Sequence, residues 1–160
     1  MKTELRFATA ADIEQLIALR FDYFSAENMV MTDAQHTQIE QNLRGYFSRH
    51  LGTSFFAAVV EVDGKPASVA FLSVFEKPAN PSFPTGKTAT VYNVFTYPGN
   101  RKKGYATQAM NALVEKGREH GLSYIDLSAT GMGKPLYEKL GFEQKAGSHY
   151  TEMRLRLETP

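Results

Sequence analysis

Val91-Tyr92-Asn93-Val94-Phe95-Thr96-Tyr97-Pro98-Gly99-Asn100-Arg101-Lys102-Lys103-Gly104-Tyr105-Ala106-Thr107 changes character twice. A β-branched and aromatic run ends at Tyr97-Pro98-Gly99, and the basic turn Arg101-Lys102-Lys103-Gly104 then opens directly into a helical pattern. Strand, cationic turn and helix start, in that order, suit a ligand that carries phosphate. The first turn of a helix has N–H groups without intrahelical acceptors and lies at the positive end of the helix dipole. Gly104 lacks the Cβ that would hold a pyrophosphate at a distance. Arg101, Lys102 and Lys103 place positive charge where such a ligand is negative.

The rest of the composition narrows the classes. The chain has 160 residues, 42% hydrophobic and 22% charged, which predicts one domain, 1–160, with its own core. The formal net charge is +1, so the basic cluster is local and predicts a small anion rather than a nucleic-acid track. There is no cysteine, which excludes disulfides, thiolate metal ligands and a covalent cysteine nucleophile. His36, His50, His120 and His149 are scattered without metal-ligand spacing, and no metal is expected. No apolar run approaches the ~20 residues of a membrane span. Met1-Lys2-Thr3-Glu4 lacks the apolar core of a signal peptide. The expectation is a cytoplasmic protein that binds neither membrane nor nucleic acid.

N-terminal to the deciding stretch, Leu5 to Ala8 reads as a short strand, and Thr9 as the cap of a helix with Asp12 in its first turn. Ile13, Leu16, Ile17, Arg20 and Phe24 share one face of that helix. Thr32-Asp33-Ala34-Gln35 is a capping-box pattern that opens a second helix, with Ile39, Leu43, Tyr46 and Phe47 as its stripe. Phe55 to Val62 and Lys65 to Phe75 read as strands joined by the hairpin signal Asp63-Gly64. Lys77 to Gly86, with Pro78, Pro81 and Pro84, must be a loop, either functional or a plain surface excursion. Thr88 to Tyr97 is the next strand.

C-terminal to it, Ala106, Ala109, Met110, Leu113, Val114 and Gly117 form a core stripe that stops at Gly121. Tyr124 to Leu127 reads as a short strand, and a short helix follows with Pro135 near its start and Gly141 at its stop. Phe142 to Lys145 and Tyr150 to Leu157 read as two closing strands. The order β-α-α-β-β-β-α-β-α-β-β predicts an α/β (α+β) protein, one mixed sheet with helices on both faces.

Arg101-Lys102-Lys103-Gly104-Tyr105-Ala106 reads as R-x-x-G-x-A and resembles the acyl-CoA signature of the GNAT (Gcn5-related N-acetyltransferase) family. Leu136-Tyr137-Glu138-Lys139-Leu140-Gly141-Phe142 is similar to a second segment of that family, and the element order and the interval between the motifs agree. Other phosphate motifs do not fit. There is no G-x-x-x-x-G-K-[ST] loop, and Gly131-Met132-Gly133-Lys134-Pro135-Leu136 begins like G-x-G-x-x-G but ends in leucine. The resemblance implies the GNAT fold: one mixed, mostly antiparallel central sheet of about seven strands flanked by four helices. It implies transfer of an acetyl group from acetyl-CoA, as co-substrate, to an amine.

It also implies roles for individual residues. Backbone N–H groups from Lys102 to Thr107, including Tyr105 and Ala106, would bind the pyrophosphate, with Arg101 at the head of the turn. Main chain at Val94 or Phe95 would polarise the thioester carbonyl, with Asn93-Val94-Phe95 opposite Asp126-Leu127-Ser128. The Tyr137 hydroxyl would protonate the departing thiolate. Thr130 and Gly133 stand where many members carry asparagine and alanine, and the Thr130 hydroxyl would cap the helix or bond the pantetheine. No acid occurs between Lys87 and Tyr97, which leaves the general base open among Tyr92, Asn93, Asp126, Glu76 and a water chain. Without a cysteine to carry the acyl group, direct transfer in a ternary complex is expected, to a small-molecule primary amine.

The acceptor pocket is expected from the first two helices, the 77–86 loop and the connection around Gly147-Ser148-His149. Phe21, Tyr23, Phe24, Phe83 and Tyr92 are its candidate lining. A homodimer stays open. The alternative functions are a non-catalytic acyl-CoA sensor of the same fold and a protein-interaction domain.

Overall fold

Phe55 to Val60 is apolar without alternation, the pattern of a strand covered on both faces. In the computed structural model, which describes residues 1–158, that run is buried throughout. β2 (Phe55–Val62) turns at Asp63-Gly64 into β3 (Lys65–Glu76), and both turn residues have positive φ, as a tight hairpin requires. β1 (Thr3–Phe7) pairs antiparallel with β2, and β4 (Lys87–Thr96) antiparallel with β3. β5 (Ile125–Asp126) pairs parallel with β4, and the strand order is β1-β2-β3-β4-β5.

Strand alternation divides the core between the two faces. Phe55, Ala57 and Val59 of β2, with Val69 and Phe71 of β3, pack with Leu16, Ile17 and Leu19 of α1 (Ile13–Ala26) and Phe47 of α2 (Asp33–His50). The Thr32 hydroxyl accepts from the Gln35 N–H at 3.1 Å and the Gln35 side chain accepts from the Thr32 N–H at 2.9 Å, so α2 opens on the expected capping box. α1 differs slightly at its start. Ala10–Asp12 is a 3₁₀ turn, because the Asp12 carboxylate accepts the Thr9 N–H at 2.7 Å and tightens the entry. On the opposite face α3 (Tyr105–Glu119) covers β2 and β3 with Ala109, Met110 and Leu113 fully buried.

Among the described residues the sheet has five strands, not about seven. Phe142 to Lys145 and Tyr150 to Leu157 form no strand, and Met153, Leu155 and Leu157 are 91%, 83% and 93% exposed. Alternation of apolar and charged residues defines a face, but a strand exists only with a hydrogen-bonding neighbour, which alternation does not supply. The described chain divides into two compact units: Met1–Ser128, which holds the whole sheet, and a smaller one that begins at Ala129 and holds α4 (Lys134–Lys139).

One polar cluster ties the first strand to its surroundings. The Arg6 guanidinium donates to both Asp12 carboxylate oxygens, at 2.8 and 2.9 Å, and to Glu61 of β2 at 2.7 Å. All three side chains are largely shielded, so Arg6→Met strands two carboxylates and should lower unfolding free energy by about 2 kcal/mol in urea titrations. Hydrogen bonds from Arg6 hold the Asp12 carboxyl below its usual range. The unfolded chain therefore binds the extra proton first, and this stabilisation is present above about pH 4 and lost as pH falls through the lowered folded value. The acid-side fall in stability should be shallower in Arg6→Met than in the parent.

Candidate functional site

Beyond Tyr97 the chain makes a 3₁₀ turn, Pro98–Asn100, and then places Lys102 (φ 61°) and Gly104 (φ 80°) in left-handed conformations on either side of Lys103. Left-handed residues that alternate with others in a turn are the backbone pattern of an anion-binding concavity lined by N–H groups. Among the described residues no acceptor reaches the N–H groups of Lys102, Lys103, Gly104, Tyr105, Ala106 or Thr107, and no side chain caps the helix. The first acceptor bond of α3 is Gln108 N–H to the Gly104 carbonyl at 3.1 Å. Thr96, Asn100, Arg101, Lys102, Gly104, Tyr105, Ala106 and Thr107 line a cavity of about 200 Å³ at this turn.

The side chains here serve different ends. The Tyr105 ring is buried, so only its main chain faces the turn. Arg101 Nε donates to the Thr96 carbonyl at 3.3 Å and ties the turn to the end of β4. The Lys102 and Lys103 side chains are exposed. A Cβ on Gly104 would meet no atom within 4 Å, so the concavity in front of the amides is open on that side.

β4 reaches this turn by way of a bulge. Val69 of β3 lies opposite Phe95, and Phe71 lies opposite Tyr92, so the single residue Ala70 faces both Asn93 and Val94. Asn93 takes φ 55° there, a conformation that asparagine tolerates better than most residues. The extra residue brings Tyr92 and Phe95, three apart, to the same face of the sheet, where both join the core over Phe71 and Val69. The parallel ladder with β5 is short: Ala89 pairs with Ile125 and Thr90 with Asp126. Asp126 is thus level with Thr90, not with Asn93, and β4 from Val91 onward has no strand beside it on that edge among the described residues of this unit. The expected register was three residues off because the resemblance carried no strand offsets.

Two of the polar groups considered as base, Tyr92 and Asn93, are engaged, and Glu76 is exposed at the end of β3. The Tyr92 hydroxyl bonds Ser73 Oγ, which also bonds the Tyr46 hydroxyl at 2.9 Å. Burial pushes the Tyr92 hydroxyl well above the usual tyrosine range, so it stays protonated near neutrality. Asn93 Oδ1 accepts from Arg20 Nη1 at 3.2 Å. Arg20 was legible only as one polar residue in the apolar stripe of α1. The structure places its guanidinium over the rings of Phe24, Tyr92 and Tyr23, at 4.6, 5.3 and 5.9 Å from their centroids. Three of the expected lining aromatics therefore gather on Arg20, and Phe21 joins them through its edge contact with Phe24. Phe83 lies apart, under Lys77 and against Tyr124, in a 77–86 loop pinned by the Thr85–Ser123 hydroxyl pair at 2.7 Å.

Within the second unit, the Thr130 hydroxyl accepts the Gly133 N–H at 3.1 Å and caps the turn that enters α4. The Tyr137 ring packs edge-on against Phe142, 6.1 Å between centroids. A Cβ at position 133 would lie 3.0 Å from the Tyr137 ring and 3.3 Å from Thr130 Oγ1. Glycine in place of the family's alanine is thus what lets this tyrosine ring sit where it does. Among the described residues no group of three or more acidic or histidine side chains could hold a metal ion, and no helix is long and apolar enough to cross a membrane.

Comparison with known proteins agrees with this geometry. A predicted acetyltransferase with acetyl-CoA from Clostridium acetobutylicum is 24% identical, with 96% of each chain covered and a TM-score of 0.82. A GCN5-related N-acetyltransferase from Ralstonia eutropha is 25% identical over 94% of this chain and 99% of its own, with a TM-score of 0.76. Glucosamine-6-phosphate N-acetyltransferase from Arabidopsis thaliana is 19% identical over 96% of this chain and 100% of its own, with a TM-score of 0.66. No curated protein sequence matches the chain significantly. The profile of the acetyltransferase (GNAT) family matches residues 13–142, a span that runs from α1 through the amide-lined turn to the end of the Tyr137 segment. The chain belongs to the GNAT acetyltransferase family.

Proposed function

We propose that this protein is an N-acetyltransferase that moves an acetyl group from acetyl-CoA to the primary amine of a small molecule by direct transfer. The observation that carries this reading is the run of unpartnered amides from Lys102 to Thr107, opening on a cavity at the start of α3. Lys102, Lys103 and Gly104 are exposed while Tyr105, Ala106 and Thr107 are shielded, so the run offers a ligand both accessible donors and donors that gain from an acceptor, and a diphosphate presents the required acceptors. Acetyl-CoA, when bound, supplies an acyl group activated as a thioester. The amides from Lys102 to Thr107 hold its diphosphate, Arg101 braces the turn, and the free edge of β4 lies along its arm. Main chain at Val94 and Phe95 donates to the acyl oxygen as negative charge develops there. Tyr137 donates its proton to the leaving sulfur and regains one from solvent, which also takes the surplus proton of the attacking amine, and Thr130, whose hydroxyl keeps a hydrogen to donate, bonds the arm. The roles of Tyr137 and Thr130 rest on the motif they occupy within the family match, which runs across both compact units and supports their acting as one domain.

A non-catalytic acyl-CoA sensor is the second reading, favoured by one observation: Tyr92 and Asn93, the polar residues of β4 nearest the expected acyl site, are engaged and neither is a base. Purified protein with acetyl-CoA and an amine panel separates the two. The transferase releases CoA thiol and yields a product heavier by one acetyl group, whereas a sensor shows only a raised melting temperature with acetyl-CoA. No shift and no product would remove both readings.

A further inference from the structure

The second polar feature of the first unit is a cation without a counter-ion. Arg20 is largely buried on α1, and among the described residues the ion pairs all belong to Arg6, Arg44, Lys116 and Arg118. The titratable groups beside it are the Tyr92 and Tyr23 hydroxyls, both uncharged near neutrality, and burial pulls its pKa down with no carboxylate to offset it. Guanidinium nonetheless stays charged in proteins. The rings of Phe24, Tyr92 and Tyr23 stabilise the cation through their π-faces, but they do not replace an anionic or carbonyl acceptor for its N–H groups. Only one of those, on Nη1, has a partner, Asn93 Oδ1.

Asn93 adds an independent sign. It is 1% exposed, its Oδ1 is committed to Arg20, and its Nδ2 has no acceptor. The amide cannot be reversed without setting its NH₂ against the guanidinium. Two donor groups, one charged and one neutral, thus stand together on the α1 side of the β4 bulge with no acceptor supplied by the described chain. Leaving such donors unmet is expensive in a shielded site. One positive charge and one amide match a monoanion with two oxygens better than a phosphate dianion, which would leave uncompensated negative charge. Asn93 also immediately precedes Val94, so whatever is gripped here lies next to the main chain assigned to the acyl oxygen.

We propose that Arg20 and Asn93 form the anion-binding part of the acceptor site, selecting small primary amines that carry a carboxylate near the amine. This rests on the transferase reading, and it names the substrate class of that same site. The test compares the common α-amino acids and β-alanine with their primary amides, and with O-phosphoethanolamine and glucosamine 6-phosphate as the phosphate arm. The amides have the less basic amine, so their amine is more readily unprotonated and the comparison is biased against the proposal. The best acid should exceed its amide in kcat/KM by on the order of 10²-fold. In Arg20→Lys and Asn93→Asp that ratio should collapse toward unity, mostly through KM. Asp tolerates the left-handed bulge and provides Arg20 with a carboxylate, so Asn93→Asp folds while excluding a second anion. A ratio of acid to amide insensitive to either substitution overturns the proposal, as does equal use of acid and amide by the parent or a preference for the phosphate amines. If acetyl-CoA binds and no amine is acetylated, the transferase reading fails by itself. The anion site is then judged by calorimetric titration of the same acids and amides in the presence of CoA. Heat from the acids alone, lost in Asn93→Asp, upholds it, and heat from neither overturns it.

Discussion

Gly104→Val should weaken acetyl-CoA binding by 10²-fold or more, on the scale of two lost charge-assisted hydrogen bonds at roughly 1.5–3 kcal/mol each. Gly104 sits at φ 80°, ψ 8°, where a β-branched residue is strained by about 1–2 kcal/mol. Steric conflict within the protein is not the issue, since a Cβ there meets nothing within 4 Å. The branched side chain would instead occupy the open concavity and turn the flanking amides out of line. The measurement is the acetyl-CoA-dependent rise in melting temperature together with a calorimetric Kd. The contrast is Lys102→Gly, which removes an exposed cation and relieves a left-handed lysine at φ 61°. If main-chain donors do the binding, this variant keeps affinity within about threefold, as expected for an exposed charge. A large loss in Lys102→Gly with little loss in Gly104→Val would transfer the role to the cationic side chains and undo the amide account.

Tyr137→Phe should lower kcat by about 10²-fold, the usual scale of a positioned acid, with acetyl-CoA affinity unchanged. Phenylalanine keeps the ring that packs on Phe142 and against Gly133, so any loss belongs to the hydroxyl rather than to the fold. Gly133→Ala gives a graded version of the same test. Its Cβ would press on the Tyr137 ring from 3.0 Å, and the ring must shift by a few tenths of an ångström. An intermediate loss of turnover is expected there, because general acids are sensitive to small displacements. Full activity in Tyr137→Phe would remove this residue from the mechanism and leave solvent as the proton source.

Elements specified by near neighbours in the chain were legible before any coordinates. The Thr32–Gln35 capping box, the Asp63-Gly64 hairpin and the α3 stripe each depend on residues within one or two turns of one another; the first two are present as read, and the stripe is present with Ala106 and Val114 half-buried at its margins and Tyr105 buried beside it. The amide-lined turn was legible for the same reason: a strand end, a glycine and a helix start are local features. The closing strands were misread because Met153, Leu155 and Leu157 alternate correctly and yet alternation says nothing about a partner. Arg20 was passed over because a single arginine in an apolar stripe is usually a side chain whose charged end reaches solvent.

The order of elements as far as α4, the covered strand Phe55 to Val60 and the phosphate-type turn before α3 were therefore determined by the amino-acid sequence alone, since short-range sterics, capping and periodicity suffice for them. The bulge at Asn93, the shared face of Tyr92 and Phe95, and the meeting of Arg20 with Asn93 across 73 positions of the chain were decided only by the tertiary structure. Their cause is register: one extra residue in β4 against β3 changes which side chains face α1, and no local pattern in either strand records how the two will be aligned.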